Sequence, residues 1–326
     1  MSQPFPGKMR PLLPPDEAAA TRREADLVLS AYNRALADAL DAALAAVTDE
    51  EELQDPEFDA RLRNGAHNDL AEWFSAPLPG LGGRTPDDAF AGIASLGQAV
   101  VWFESAAANC DDDIPDLLKV RLGSHGTAAT DALLTLALAP SWEVRSGRAE
   151  RPPELLAASR AIETLGEWQA REALELLAAK FAGLGEPEEG IAESFRAYCT
   201  AVGPDAGRVL AGCVEAAAGG DGEPIRGPVD YMVIAIADIG RKHPDERLFQ
   251  CLRLAFRRME HKAIGAICLG DYGDGRAVTT LKGFLDRFEG RIDRQTFYEV
   301  MNAIRRLGGV VSDIRNPFAG DFGRPH

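Results

Sequence analysis

The chain has 326 residues, with 35 lysines and arginines against 51 aspartates and glutamates, a formal charge of −16, and 46% hydrophobic residues. That is length for about two domains with ample chain for a core, and the composition excludes disordered, collagenous and disulfide-knit classes. The longest apolar runs, such as Tyr231 to Ala237, fall far short of the roughly 20 residues that cross a bilayer, and the N-terminal MSQPFPGKMRP has no apolar signal core. A cytoplasmic location with no membrane contact is therefore expected.

Apolar positions recur at helical intervals and strand alternation is missing, so the expected class is all-α. A first long helix is predicted from Asp16, after Pro14 and Pro15, to Val47, before the acidic stretch Asp49 to Glu52. A second covers Glu57 to Phe74 and ends in the loop Ala76 to Arg84, which holds two prolines and three glycines. Thr85, Pro86, Asp87 and Asp88 then read as a helix start: threonine caps, proline suits the first helical position, and the acids favour the positive end of the dipole. That helix carries Phe90, Ile93, Val100 and Phe103 toward Asn109. Farther on, Leu281, Phe284, Leu285 and Phe288 lie at i, i+3, i+4, i+7, and Val300, Ile304 and Leu307 at i, i+4, i+7.

An internal repeat begins near residue 120. An apolar residue followed by glycine recurs at Leu122-Gly123, Leu165-Gly166, Val202-Gly203, Ile239-Gly240, Leu269-Gly270 and Leu307-Gly308, with glycine spacings of 43, 37, 37, 30 and 38 residues. Each glycine follows an amphipathic stretch, and most precede a second one, as in Ala173 to Phe181, Val209 to Ala217, Leu248 to Met259 and Val278 to Phe288. This is a helix-turn-helix unit at the period of an α-solenoid. The glycines are expected to end the first helices, where a left-handed backbone is often needed.

The turns between paired helices have their own pattern. Asp205 precedes Arg208, Asp245 precedes Arg247 and Asp274 precedes Arg276, with Gln169 and Arg171 at the equivalent place in an earlier unit. The aspartates are candidate N-caps. The arginines either pair with carboxylates of neighbouring units as a ladder, which is the favoured reading, or form a row that reads a ligand. Trp168, in a repeat turn directly after Gly166, is a candidate aromatic anchor for a partner. Trp168, Arg171, Arg208, Arg247 and Arg276 are thus the candidate partner-binding residues.

The segment Ala263-Ile264-Gly265-Ala266-Ile267-Cys268-Leu269-Gly270-Asp271-Tyr272-Gly273-Asp274-Gly275-Arg276-Ala277-Val278, and more loosely Ala161 to Leu177, resembles HEAT repeats, particularly the short form of bilin lyases. The resemblance covers about residues 120–315. It implies a curved helical array with a concave binding surface, used mostly by protein-binding scaffolds and in a few cases by enzymes, namely phycobilin lyases and a class of alkylpurine DNA glycosylases. It carries over no catalytic residue. Upstream, Asp69 to Phe74 followed by Ala76-Pro77-Leu78-Pro79-Gly80-Leu81-Gly82-Gly83-Arg84-Thr85-Pro86 is similar to the tryptophan, proline and LGG(R/K)TP pattern of a family of bacterial antitoxins. No basic recognition helix precedes it, and a structured turn packed by Trp73 and Phe74 is the plainer reading.

Motifs that carry chemistry are few. GxxxxGK[ST], GxGxxG after a strand, HExxH and GxSxG are missing, and Asp111, Asp112 and Asp113 lack the glycine and distal glutamate of a calcium loop. The histidines His67, His125, His243, His261 and His326 are scattered. Cys110, Cys199, Cys213, Cys251 and Cys268 show no metal-ligand spacing and read as buried thiols. No catalytic residue, cofactor or metal is assigned.

Charge is uneven: residues 1–150 hold 12 basic and 25 acidic side chains, residues 151–326 hold 23 and 26. Nucleic acid is disfavoured for the whole chain but stays open for the C-terminal repeats, where Arg253, Arg257, Arg258, Lys262, Arg287, Arg291, Arg294, Arg305 and Arg306 crowd together. The expected organisation is an acidic helical region over 1–118, a HEAT-like solenoid over 119–315 and a tail over 316–326. The expected function is a non-catalytic scaffold or adaptor binding another protein on the concave face. The alternatives are an enzyme of the lyase or glycosylase kind and antitoxin-like partner binding through Trp73 to Pro86.

Overall fold

Helical periodicity is what the backbone adopts. The computed structural model describes residues 12–47, 55, 58–110, 114–144, 151–220, 224–288 and 291–318, and among them every regular element is a helix. The acidic stretch Asp49 to Glu52, the triplet Asp111 to Asp113 and His326 lie outside the described residues. The chain divides into two compact units, Met1–Pro140 with Ala149–Ala161, and Ser141–Arg148 with Ile162–His326. The division falls beyond the boundary expected at 118/119, because the two helices that follow residue 115 pack on their predecessors in the first unit.

The first unit is built on α1 (Pro15–Ala45), followed by α2 (Phe58–Asp69), α3 (Ala71–Ser75), α4 (Pro86–Ala91), α5 (Leu96–Asn109), α6 (Asp116–Gly123) and α7 (Thr127–Leu138). Thr21, Ala25, Val28, Leu29, Tyr32 and Leu36 form the buried stripe of α1, and α5 lies against it. The single helix expected over 57–74 is broken at Leu70, and the one expected from Thr85 toward Asn109 is broken between Gly92 and Ser95. The second break has a local cause. Ser95 Oγ accepts from the Gln98 amide at 3.2 Å while Gln98 Oε1 accepts from the Ser95 amide at 3.2 Å, a reciprocal cap that starts a new helix. Thr85 caps α4 in the same way, with Asp88 as its partner.

The helix α8 (Pro153–Glu167) begins in the first unit and ends in the second. After a 3-10 turn at Arg171–Ala173 come α9 (Leu174–Ala182), α10 (Glu189–Val202), α11 (Pro204–Ala218), α12 (Pro228–Lys242), α13 (Glu246–Arg258), α14 (Lys262–Tyr272), α15 (Ala277–Arg287) and α16 (Arg294–Arg306). Helices α10, α12, α14 and α16 touch in succession as one layer, and α9, α11 and α13 as another. Consecutive helices also pack across the layers, so each pair rests on the pair before it.

The repeat glycines divide between two jobs. Gly123 is the last residue of α6, and Gly203 and Gly308, with positive φ of 77° and 76°, end α10 and follow α16 as expected. Gly166, Gly240 and Gly270 lie inside helices and allow close approach. A Cβ at Gly166 would lie 3.0 Å from Tyr198 Cα, one at Gly240 2.2 Å from Tyr272 Cε2, and one at Gly270 3.2 Å from Ala303 Cα. In two units the contact is completed by a hydroxyl: Tyr198 donates to the Ala170 carbonyl at 2.8 Å, and Tyr272 donates to the Asp245 carbonyl at 2.8 Å while accepting from the Asp245 amide at 3.0 Å. Each tyrosine follows its glycine by 32 residues, so the ring of one unit sits on the helix before it and the hydroxyl clasps the turn that ends that helix.

Residues 309–318 fold back on the last helices instead of trailing off at 316. The Gly309 amide donates to the Ile304 carbonyl at 2.8 Å, Lys282 pairs with Asp313 at 2.9 Å, and the rings of Phe297 and Phe318 lie 5.6 Å apart. This segment covers apolar side chains of α15 and α16, Leu285 and Phe297 among them.

Candidate functional site

The turns after α8, α10, α12 and α14 follow one another along one edge of the second unit, and the five residues singled out from the sequence lie on or beside them. Trp168 is half-buried at the end of α8, where Gln169 takes a left-handed φ of 52°. The Ala170 and Gln169 amides donate to the Leu165 and Gly166 carbonyls, both at 2.9 Å, the bond pattern that closes many helices on a glycine.

The arginines are engaged by carboxylates. Arg171 pairs with Asp205 of the next turn at 2.9 Å, and Arg208 holds the same carboxylate at 2.9 Å. Arg247 reaches back to Glu215 of α11 through bonds of 2.7 and 3.2 Å. Arg276 reaches back to Glu246 at 2.8 Å, binds Asp274 of its own turn at 2.6 Å, and lies 4.3 Å over the Phe249 ring. Hydrogen bonds from Arg247 and Arg276 hold the Glu215 and Glu246 carboxyls below their usual range. Of the three candidate N-caps, Asp245 caps α13 through its bond to the Arg247 amide at 2.8 Å. Asp205 instead sits inside the first turn of α11, behind Gly203 and Pro204, and Asp274 accepts from the Arg276 amide one residue before α15.

A second grouping escaped the motif reading. Asp230, in the first turn of α12, is 6% exposed. Its Oδ2 lies 2.6 Å from His261 Nδ1, and its Oδ1 is buried without a hydrogen-bond partner. Burial pushes the Asp230 carboxyl upward against the opposing pull of His261. His261 stands just before α14 with its side chain 56% exposed, so binding at Nδ1 leaves Nε2 toward solvent, an arrangement able to take or give a proton. Its signal in the sequence is weak: the two residues are 31 positions apart, close to the local repeat, and only the stacking of α14 on α12 brings them together.

No family model matches the chain, and neither the curated proteins nor the solved structures contain a significant match to it. The remaining candidates rest on geometry alone. Among the described residues no group of three or more His, Cys, Asp or Glu side chains is placed to hold a metal ion. The thiols are reduced, with Cys213 half-buried and the other four buried; burial raises Cys199, Cys213, Cys251 and Cys268, Cys251 to about 12. No helix among the described residues is long and apolar enough to cross a membrane.

The Trp73 to Pro86 segment is a packed turn. Trp73 meets Tyr32 of α1 edge-on at 5.8 Å, Phe74 lies 6.2 Å from Phe90, and Arg84 pairs with Glu24 at 2.7 Å. Gly80, Gly82 and Gly83 all have positive φ, which only glycine adopts without strain. At the other end of the chain a cavity of about 330 Å³ lies between α15, α16 and the folded-back segment, walled by Leu285, Phe297, Ile314 and Phe318 with Asp286 and Asp313 among its polar lining.

Proposed function

We propose that the second unit is a HEAT-like solenoid and that the protein is a scaffold or adaptor for another protein. The observation that carries this is the repeated clasp. A glycine–tyrosine contact completed by a hydroxyl-to-turn bond occurs twice in the second unit, at Gly166–Tyr198 and Gly240–Tyr272, and holds the spacing of the helices it joins. Rigid elements that present a row of groups over several units suit recognition of an extended partner. Trp168 would serve as its aromatic anchor, beside Arg171, whose side chain is 65% exposed while paired.

The test is quantitative affinity capture from lysate of the source cells with wild-type protein and a Trp168→Ala variant shown by circular dichroism to be folded. A stoichiometric protein partner retained by the wild type and lost by the variant is expected. Failure to retain any stoichiometric protein overturns the scaffold reading.

An enzyme of the lyase or glycosylase kind is the second reading, favoured by the Asp230–His261 pair. It requires that bound tetrapyrrole be transferred, or a damaged base released, at a rate that His261→Ala reduces by about the 10²–10⁴-fold typical of a lost acid–base group.

A further inference from the structure

The two edges of the second unit treat their cations differently. On the turn edge each candidate arginine meets a carboxylate. At the opposite edge, where α13 and α15 end and α14 and α16 begin, the cations meet aromatic rings and carbonyls. Arg287 and Arg291 both lie over the Phe288 ring, at 5.9 and 5.3 Å, and Lys262 lies 5.9 Å over Phe256 while its ammonium donates to the Phe256 and Arg257 carbonyls, both at 2.8 Å. The rings form a continuous strip, Phe256 to Phe284 at 5.2 Å and Phe284 to Phe288 at 5.0 Å. Arg257, Arg287 and Arg291 are exposed, and none of them has a carboxylate within ion-pairing distance among the described residues. Of the described acids nearby, Glu260 pairs with Arg226 at 3.7 Å, Asp293 caps α16 through the Thr296 amide at 2.8 Å, and Asp286 lines the cavity.

We infer that this edge binds a short acidic segment of the partner protein. The inference rests on the scaffold reading and names its partner's chemistry. An arginine laid over a ring has part of its rotamer freedom already removed; Arg291 gives one donor to the Arg287 carbonyl at 3.1 Å, and the remaining guanidinium donors of the two exposed arginines suit a carboxylate. Nucleic acid offers comparable anions, but a long polyanion interacts with the field of the whole chain, which carries −16, whereas a compact acidic peptide is attracted by the local cations within about a Debye length of ~8 Å. The half-buried faces of Phe284 and Phe288 supply apolar contact between the charges.

The test measures fluorescence anisotropy of a labelled oligoglutamate peptide and of a labelled oligothymidylate with the full chain. Compared are the wild type, Arg257→Glu with Arg287→Glu, and Arg241→Glu as a control, each with its melting temperature measured. The expected result is saturable peptide binding that weakens with salt, falls about tenfold or more in the double variant, and is unchanged in Arg241→Glu. Undetectable peptide binding, equal binding by all three proteins, or tighter arginine-dependent binding of the oligothymidylate overturns the inference. A captured protein partner that the double variant retains does so too, yet leaves the scaffold reading standing; capture of no partner by the wild type removes that reading and this inference with it.

Discussion

Asp230 and Gln169 each hold a conformation or charge state that their own chemistry opposes. Because burial raises the folded-state carboxyl of Asp230 above its unfolded value, any stability the group provides is complete below the unfolded carboxylate pKa and is lost as pH rises through the raised value. At neutral pH the ionised, partly unsatisfied carboxylate is a cost. Asp230→Asn should therefore leave stability unchanged or raise it at pH 7, with the difference disappearing on acidification toward pH 4, as read by urea unfolding at both values. Gln169 carries a positive φ of 52° in a turn of the kind usually closed by glycine. Gln169→Gly should stabilise by up to about 1 kcal/mol, and a lowered denaturation midpoint would contradict the assigned backbone.

At the scale of the element, glycines that look alike in the sequence separate into two kinds. Gly240 is filled on its open side by the Tyr272 ring, so Gly240→Ala should cost about 1–3 kcal/mol through overpacking of α12 against α14. Gly283, inside α15, has nothing within 4 Å of the place an alanine methyl would take; Gly283→Ala should raise stability by about 1 kcal/mol, the ordinary helix-propensity gain. Chemical denaturation of the two variants side by side checks both signs. The ion pairs of the turn edge are solvent-exposed and screened, so they add little to stability. Packing of rings on glycines therefore contributes more to joining the pairs than the arginine ladder does.

For the whole molecule, two compact units with separate cores predict responses that stay local. Tyr272→Phe removes the hydroxyl that both donates to and accepts from Asp245, at a cost of about 1–3 kcal/mol if the Asp245 amide is left without a partner. Amide hydrogen exchange should quicken around the α12–α13 turn and through the repeats of the second unit while α1 and α5 keep their protection. Uniform acceleration over both units would mean that they unfold as one. Helical class and the Thr85 cap were legible in the sequence because each depends on neighbours within a turn or two of the chain. The breaks at Leu70 and Ser95 were obscured by apolar periodicity that runs across both sites. Tertiary packing alone sets which groups meet from one helix pair to the next: Gly240 with Tyr272, and Asp230 with His261. Composition and periodicity specify which face of a helix is buried, but the identity of the group pressed against that face depends on the offset and rotation between stacked pairs, and those are set by how closely the glycines let the backbones approach.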